Sequence, residues 1–422
     1  MTESAASNPD SRATSNPWLV LVLLLLIYTF SYADRYLIAG LVEPIKAEFG
    51  VGDQFIGLLM GPAFIIFYVV MGIPIARLAD RSSRIAIICA GCVLWSVFTG
   101  LSGFATSATM LAIARVGVGV GEAAFAAPAY ALLSDYFRPE KRALAFAVLG
   151  VAVYAGQIAG YKVGPEIAAD YGWRNAFYVM AIIGIILGVV AWVVVREPAR
   201  TVQKAAGEPF APLVRRLAAA PSYLLMMVAM GLGTMSGISF GFWGPALFAR
   251  NYGLSMEAAS GIFGLYFGIA GLTGMILFGA LANRVARNYS HGPLLLGAGA
   301  LLSATVCILA VTWSPNLGWA KFFAIPSGLL GGGWSVGVMV TLQYLLPDRF
   351  RATATATFLA VSTLIGFLVG PWLAGAVSEA LGNNAASLKA GLSVVIPVGF
   401  VGAIAALIAV RRLERDRGAL AG

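Results

Sequence analysis

Charged residues are scarce in this chain of 422 residues. They make up 11% of it, where a soluble domain carries roughly 25%. Hydrophobic residues make up 59%. A chain with so little charge cannot cover a water-exposed surface, so most of it must face an apolar phase. The composition therefore excludes an ordinary soluble globular fold.

Residues that build redox and metal sites are also scarce. The one histidine, His291, lies in a loop, and the three cysteines lie in apolar runs. The spacing of Cys89 and Cys92 matches a redox motif but lacks the soluble βαβ context of one, so we interpret the cysteines as small packing residues. A nucleophile–base set and a Walker motif are missing as well. The sequence predicts no enzyme activity, no metal and no cofactor.

Long apolar runs recur about twelve times along the chain. A helix of about 20 apolar residues spans the roughly 30 Å hydrocarbon layer of a bilayer. Lipid admits only helices and closed barrels, and barrel strands would show about ten residues of alternating polarity. The continuous runs predict an all-α, polytopic membrane protein with twelve transmembrane helices in two pseudo-symmetric six-helix bundles.

The net charge of +9 is distributed unevenly between the predicted loops. With the N-terminus inside, 20 of the 28 Lys and Arg residues fall in inner segments and 6 in outer ones. This is the positive-inside bias, which predicts cytoplasmic termini in a cell membrane, the inner membrane if the cell is Gram-negative. We interpret the charge as a signal of topology, with contact to anionic membrane lipids, and not as a nucleic-acid surface.

Three motifs occur twice at nearly one offset. Leu-Ala-Asp-Arg at residue 78 recurs as Leu-Ala-Asn-Arg 203 residues later. Arg-Ala-x-Ala-x-Ala begins at Arg142 and recurs after 209 residues, and Gly-x-x-x-Gly-Pro begins at Gly160 and recurs after 206. The repeats indicate duplicated halves. The predicted segments are a disordered tail (1–17), an N-terminal bundle (18–197), a cytoplasmic linker (198–220), a C-terminal bundle (221–411) and a basic cytoplasmic tail (412–422).

Small residues four apart let helices approach closely in lipid. The fifth predicted helix carries such a face, and two interpretations stay open: rigid packing, or a seam that slides during transport. The residues predicted to pack helices are Gly156, Gly160, Gly164, Pro165, Gly370 and Pro371.

These motifs resemble signatures of the major facilitator superfamily. Leu78-Ala79-Asp80-Arg81-x-x-Arg84 resembles its inner-loop motif, although Ala76 and Ser83 replace two glycines of that motif. Arg115-x-x-x-Gly119-x-Gly121 resembles its fourth-helix motif. The resemblance implies a secondary transporter working by alternating access around a midplane site between the halves, and functional as a monomer. The predicted cytoplasmic gate consists of Asp80, Arg81, Arg84 and Arg142.

A narrower resemblance is to the Spinster family. Tyr32-Ala33-Asp34-Arg35-Tyr36 is similar to its first helix, and Gly119-Val120-Gly121-Glu122-Ala123 to its fourth. Eukaryotic Spinster proteins move lysophospholipids or sphingosine 1-phosphate, which implies an amphipathic, lipid-like substrate here. The alternatives are a multidrug or small organic-anion carrier of the same superfamily and, as a different class, a non-transporting receptor or scaffold.

Four charged residues lie deep in the predicted spans, where charge is expensive: Asp34, Arg35, Arg115 and Glu122. One hypothesis is a neutral brace between the first and fourth helices. The other is a proton switch, in which Arg35 pairs with Glu122 while Asp34 lacks a full partner and binds and releases a proton. In the Spinster resemblance, Asp34, Arg35 and Glu122 match the functional acid and ion-pair positions, and Arg115 matches the superfamily's fourth-helix arginine.

The predicted C-terminal spans carry no deep charge but many aromatic residues. One charged half and one apolar half suit a substrate with a polar head and an apolar tail. The residues predicted to line the substrate cavity are Tyr32, Tyr36, Phe240, Trp243, Tyr266 and Trp334. The sequence thus predicts proton-coupled transport of a small amphipathic substrate, with protons and membrane lipids as the other partners.

Overall fold

The computed structural model describes residues 15–79, 81–198, 210–347 and 350–421. Within these ranges, twelve helices are long and apolar enough to cross a membrane, which confirms the predicted all-α fold. Labelled α1 to α12 in chain order, they are Pro17–Gly40, Asp53–Ala79, Arg84–Gly103, Ala108–Tyr136, Pro139–Tyr171, Trp173–Val194, Pro221–Tyr252, Met256–Ala286, Gly292–Thr312, Leu317–Leu345, Thr353–Ala380 and Ala385–Val410. Three shorter helices are Val42–Phe49, Phe210–Ala218 and Leu413–Ala421. The predicted tail over residues 1–17 lies almost entirely outside the described residues.

Two ends of the molecule can be distinguished. Because twelve spans return the chain to the side on which it started, the residues before α1 and after α12 lie at one end, here called the terminal end. The loop after α1, the start of α2 and the end of α7 lie at the other, here called the opposite end.

Several spans are interrupted at identifiable positions. The helix of α2 breaks at Gly61, immediately before Pro62. A π-helical turn, Gly264–Gly268, interrupts α8. In α4 the helix ends at Glu122 and resumes at Ala126. The residues between these two pieces are buried, as irregular backbone at membrane depth must be, and the break places Glu122 at the end of a helix.

The predicted glycine face of α5 packs against α1 of the same half. A Cβ on Gly156 would lie 2.3 Å from the Thr29 carbonyl oxygen, and Gly160 faces the next turn of the α1 backbone. Gly370 in α11 repeats the arrangement against α7, where a Cβ would lie 3.0 Å from the Met235 carbonyl oxygen. These contacts within each half favour the rigid-packing interpretation over a sliding seam.

The sequence repeat has a structural counterpart at the terminal end. Arg142 donates from Nε to the Phe137 carbonyl at 3.0 Å, and Arg351 donates from Nε to the Leu346 carbonyl at 3.0 Å. Each arginine thus holds the carbonyl five residues before it, at the start of α5 and α11. The duplicated motif forms the same local structure in both halves.

The two halves approach each other closely towards the opposite end. A Cβ on Gly57 of α2 would lie 2.4 Å from the Pro371 carbonyl oxygen of α11, and one on Gly61 would lie 2.4 Å from that of Phe367. Between α5 and α8, a Cβ on Gly271 would lie 2.6 Å from the Tyr154 ring. Glycine at Gly57 and Gly61 permits backbone-to-backbone contact between helices of different halves, and at Gly271 it makes room for a ring from the other half.

Candidate functional site

The four deep charges form two buried ion pairs between α1 and α4. The Nε of Arg35 lies 2.6 Å from Oε2 of Glu122, and Nη1 of Arg115 lies 3.0 Å from Oδ2 of Asp34. All four side chains are at most 7% exposed. Asp34 and Arg35 are adjacent on α1 and therefore project about 100° apart around the helix, which lets them reach two levels of α4. The predicted pairing of Arg35 with Glu122 is confirmed.

The expectation that Asp34 lacks a full partner is wrong. Its Oδ2 accepts from Arg115, and its Oδ1 accepts a hydrogen bond of 3.0 Å from Oγ1 of Thr99. Thr99 lies on α3, and nothing in the sequence marked it as the second donor. Both oxygens of this carboxylate are therefore satisfied, which is the arrangement that keeps a buried charge stable.

Glu122 is the carboxylate with an open position. Its Oε2 accepts from Oγ of Ser31 at 2.7 Å as well as from Arg35. Its Oε1 is buried and has no hydrogen-bond donor among the described residues. A buried acceptor without a donor bears an uncompensated desolvation cost. Protonation of Glu122 or the arrival of a donor group would relieve that cost.

Aromatic rings surround the guanidinium of Arg35. Its central carbon lies 4.6 Å from the ring centre of Tyr32, 4.7 Å from that of Phe64 and 5.0 Å from that of Tyr68. Such contacts attract a cation to the ring face. Arg35 is thus held by one carboxylate oxygen and by aromatic faces, which leaves a planar cation beside tyrosine hydroxyl groups.

A cavity of about 420 Å³ lies between α5 of the first half and α8 and α10 of the second. It is bounded by Val153, Tyr154, Met275, Gly332, Ser335, Val336, Met339, Val340 and Gln343. Since α10 runs towards the terminal end from Gly332 to Gln343, the cavity extends from the middle of the bundle in that direction. Apolar residues and two methionines form most of its wall, which suits a flexible apolar group.

The six aromatic residues predicted to line the cavity occupy other positions. Tyr32 contacts Arg35, and Tyr36 packs across the halves against Phe242 with ring centres 4.9 Å apart. Trp243 donates from Nε1 to the Pro371 carbonyl at 2.9 Å. Phe240 and Trp334 are buried in helix contacts, and Tyr266 lies half-buried in the π-helical turn of α8. Their role in substrate binding stays a prediction.

A charge cluster that the sequence did not reveal joins the halves at the opposite end. Arg250, at the end of α7, donates to both oxygens of Asp53, at the start of α2, with distances of 2.7 Å. Asp53 also accepts from Lys46 at 2.5 Å and from Ser378 of α11 at 2.6 Å. The Nε of Arg250 lies 2.8 Å from Glu43. Asp53 has no exposed surface, so its charge depends on these partners.

A second contact between the halves lies deeper. Pro245 in α7 has no N–H, so the carbonyl four residues earlier, that of Gly241, lacks its helical donor. The hydroxyl of Tyr161, on α5 of the other half, donates to that carbonyl at 2.6 Å. Tyr161 in turn accepts from Nε2 of Gln157 at 3.0 Å. The spacing of Gly241 and Pro245 was the sequence signal for an open acceptor.

The residues of the predicted cytoplasmic gate contact their own half where the structure describes them. Arg84 pairs with Asp135 at the end of α4, and Arg142 binds the Phe137 carbonyl. Arg81 is exposed, and Asp80 lies outside the described residues. Their action as a gate stays a prediction. Within the described ranges, no group of three or more His, Cys, Asp or Glu side chains could hold a metal ion.

Comparison with known proteins identifies related sequences. The family model of the Major Facilitator Superfamily matches residues 24–365. An MFS-type efflux pump of Mycolicibacterium smegmatis is 31% identical over 96% of this chain and 96% of its own length. Protein spinster homolog 1 of Mus musculus is 30% identical over 86% of this chain and 73% of its own. The sphingosine-1-phosphate transporter SPNS2 of Danio rerio is 29% identical, covering 85% and 75%.

A solved structure shares the fold. A bacterial homologue of the human lysosomal transporter Spinster, crystallised in an inward-facing and unoccupied conformation, superposes with a TM-score of 0.84. It is 24% identical and covers 97% of this chain and 99% of its own. The matched family and the related proteins are transporters and not enzymes. This confirms the prediction that the chain is not an enzyme.

Proposed function

The chain belongs to the Major Facilitator Superfamily and is a multi-pass secondary transporter related to Spinster proteins, and we propose that it moves an amphipathic, lysophospholipid- or sphingolipid-like molecule in a proton-coupled cycle of alternating access. The observation that carries the proposal is the open, buried Oε1 of Glu122, whose other oxygen holds Arg35. The proton-coupling residues are Asp34, Arg35, Arg115 and Glu122.

The two ion pairs have different roles, one structural and one in proton binding. Asp34, satisfied by Arg115 and Thr99, fixes α1 to α3 and α4. Glu122 takes up the proton at Oε1, and its neutralisation weakens the attraction between Glu122 and Arg35. Arg35 is then available to an anionic head group, for which a guanidinium supplies charge-assisted hydrogen bonds. Loss of the proton restores the pair and favours release of the head group.

The substrate is divided between two environments. The head group binds beside Arg35, and the apolar chain extends into the methionine-lined cavity between α5, α8 and α10. The names of two relatives support this class, because one is a spinster homologue and one transports sphingosine 1-phosphate. The mycobacterial relative is an efflux pump, which favours a drug or small organic-anion carrier as the second candidate.

We extend the proposal to topology and assembly. The loop charges support cytoplasmic termini and residence in a cell membrane, so the terminal end with its gate residues faces the cytoplasm. The proton and head-group residues of the site come from one chain, which supports a functional monomer. The bundle, linker and tail segments predicted from the sequence are the proposed domain organisation.

The test is flux of a lysophospholipid into or out of protein-containing vesicles under an imposed pH gradient. We expect wild-type flux to follow the gradient. Glu122→Gln, which mimics the protonated acid, retains binding of the lysolipid but loses the pH dependence. The matched control is Lys162→Gln, which removes a charge from an exposed pair at 2.8 Å and leaves the dependence intact.

Three outcomes separate the parts of the proposal. A Glu122→Gln protein that still follows the gradient overturns the assignment of the proton to Glu122, and Asp34→Asn then tests the other acid. Flux that ignores pH in the wild type overturns proton coupling. Transport of a cationic drug or small organic anion without any lysolipid movement selects the efflux candidate.

A further inference from the structure

Two short helices cover the terminal end of the C-terminal half. One, Phe210–Ala218, lies in the predicted linker, and the other, Leu413–Ala421, lies in the predicted tail. Leu213 and Leu217 of the first and Leu413 and Leu420 of the second are at most 2% exposed and belong to one hydrophobic cluster with residues of α7 to α12. These leucines of both helices therefore pack on the protein and not on lipid, whereas Val214 of the first helix is exposed.

The acidic residues of the second helix bind the protein as well. Asp416 accepts from the backbone N–H of Ser222, at the start of α7, with a distance of 2.7 Å. Glu414 accepts from Ser290 at 2.6 Å and from Tyr344. The Ser290 hydroxyl lowers the pKa of Glu414 against an opposing effect of burial, with further lowering by the Tyr344 hydroxyl and the charge of Arg417. Within the described residues, neither carboxylate forms an ion pair with Arg411, Arg412 or Arg415.

Four of the exposed arginines on or beside the two short helices are here called the basic collar: Arg215, Arg411, Arg412 and Arg415. All four are exposed, and none has an ion-pair partner in the described part of the chain. Arg215 also borders a cavity of about 470 Å³, whose described wall includes Pro212, Arg216 and Ala219.

The collar lies close to the ends of membrane spans. Arg411 and Arg412 directly follow the last residue of α12, Val410. Arg415 is five residues beyond that end, about 7.5 Å along a helix. Surface charges act over about 8 Å at physiological salt. All three arginines are therefore within electrostatic reach of the phospholipid head groups.

We infer that the basic collar is a docking surface for anionic phospholipid head groups, which it binds by charge and without inserting into the bilayer. An interfacial helix normally anchors itself by burying its apolar face in lipid. In the Leu413–Ala421 helix, Leu413 and Leu420 are buried in the protein, so attraction between arginine and phosphate is the interaction left to its outer face. Each arginine near an anionic surface contributes about a fivefold preference for it. The inference is independent of the transported substrate.

The experiment titrates phosphatidylglycerol into the full chain in neutral detergent and follows the midpoint of thermal unfolding, with phosphatidylcholine as the reference lipid. The test variant is Arg411→Gln/Arg412→Gln/Arg415→Gln. The matched control, Arg77→Gln/Arg138→Gln/Lys141→Gln, removes three exposed basic residues of the other half. A second variant, Arg411→Lys/Arg412→Lys/Arg415→Lys, keeps the charge and verifies that the helix tolerates substitution.

Phosphatidylglycerol is expected to raise the unfolding midpoint of the wild type, the control and the lysine variant. For the glutamine variant, the half-saturating lipid concentration rises by on the order of 100-fold for three charges. An unchanged half-saturating concentration in the glutamine variant overturns the inference, and so does an equal rise in the control variant, because the effect would then belong to the total basic charge of this end and not to the collar. So does an equal rise produced by inorganic phosphate at matched ionic strength, because the collar would then be a site for soluble anions. A wild-type response to phosphatidylglycerol that survives 1 M salt also refutes binding by charge.

Discussion

Removal of one hydroxyl group, by Tyr161→Phe, is expected to shift the balance between the two states of the transport cycle. The Tyr161 hydroxyl satisfies the Gly241 carbonyl, which Pro245 leaves without a helical donor. The bond crosses from α5 to α7, so it exists only while the halves are closed at the opposite end. Phenylalanine keeps the ring contacts with Tyr36 and Phe263 and removes the hydroxyl. The bond that this hydroxyl accepts from Gln157 lies within α5, so its loss affects both states of the cycle alike.

The size of the shift follows from the burial of both groups. A neutral hydrogen bond contributes about 1 kcal/mol, and a buried carbonyl left without a donor costs up to about 3 kcal/mol. In the state that is open at the opposite end, water can reach the carbonyl in both proteins, so the cost applies to the closed state alone. The ratio of open to closed molecules should therefore rise roughly five- to 150-fold.

Tyr223→Phe is the matched control. The Tyr223 hydroxyl donates to the Ala354 carbonyl at 2.8 Å, which is also a buried tyrosine–carbonyl bond. This bond joins α7 to α11 within one half, so its loss should lower the thermal stability without altering the balance of states.

The assay is a spin-label distance measurement across the opposite end. Labels at Ala47→Cys and Glu257→Cys, both exposed and in different halves, are placed in a chain whose three native cysteines are replaced. Tyr161→Phe should increase the long-distance population, whereas Tyr223→Phe should not. If both variants lose stability and neither changes the distances, the Tyr161 bond does not bias the cycle and the reasoning is wrong.

Three further predictions concern contacts at the opposite end. Gly57→Ala places a methyl group 2.4 Å from the Pro371 carbonyl, so it should hold α2 and α11 apart and increase labelling of a cysteine introduced between these two helices. Gly150→Ala, with open space around it, should not. Arg250→Gln removes the bidentate partner of buried Asp53. Thermal or denaturant unfolding should show a loss of about 3–5 kcal/mol, whereas Lys162→Gln, which breaks an exposed pair, should cause no measurable loss. Hydrogen bonds from Arg174 and Trp173 lower the pKa of Glu48 below its ordinary 4.5, against a smaller opposing effect of burial. Because the pKa of Glu48 is lower in the folded than in the unfolded protein, the stabilisation is present above pH 4.5 and is lost as the pH falls through the folded-state pKa. The small difference in unfolding midpoint between wild type and Glu48→Gln should therefore vanish in acid.

The sequence was sufficient for the fold because lipid leaves few alternatives. Apolar runs of spanning length can only be helices, and the repeat at Arg142 and Arg351 reappears as the same carbonyl contact in both halves. The pairing of Arg35 with Glu122 was predictable for a similar reason, since deep opposite charges must find each other.

The finer structure of the site was not predictable from one sequence. Thr99 and Ser31 are ordinary polar residues in apolar helices, and only the packing of α3 and α1 brings them to the carboxylates. Which oxygen would stay open therefore depended on tertiary structure, and the prediction placed the open position on Asp34 instead of Glu122. Asp53 and Arg250 lie at span ends, where charge is common, so their pairing across 197 residues left no local signal.

The contacts between the halves change from ion pairs at the rim of the opposite end to neutral contacts deeper in. This arrangement suits an interface that must open repeatedly. At the rim, Asp53 and Arg250 each become hydrated when they separate. Hydration therefore recovers much of the energy that the buried pair provides. Deeper in, Tyr161 lies about 15 Å from the end of α5, and there a single neutral hydrogen bond and glycine-lined backbone contacts replace charge. The ion pairs of Asp34 and Glu122 lie within one half, so opening the seam does not itself break them. A proton at Glu122 would therefore act on the cycle through Arg35 and the substrate that it binds, and not by unlocking the halves directly.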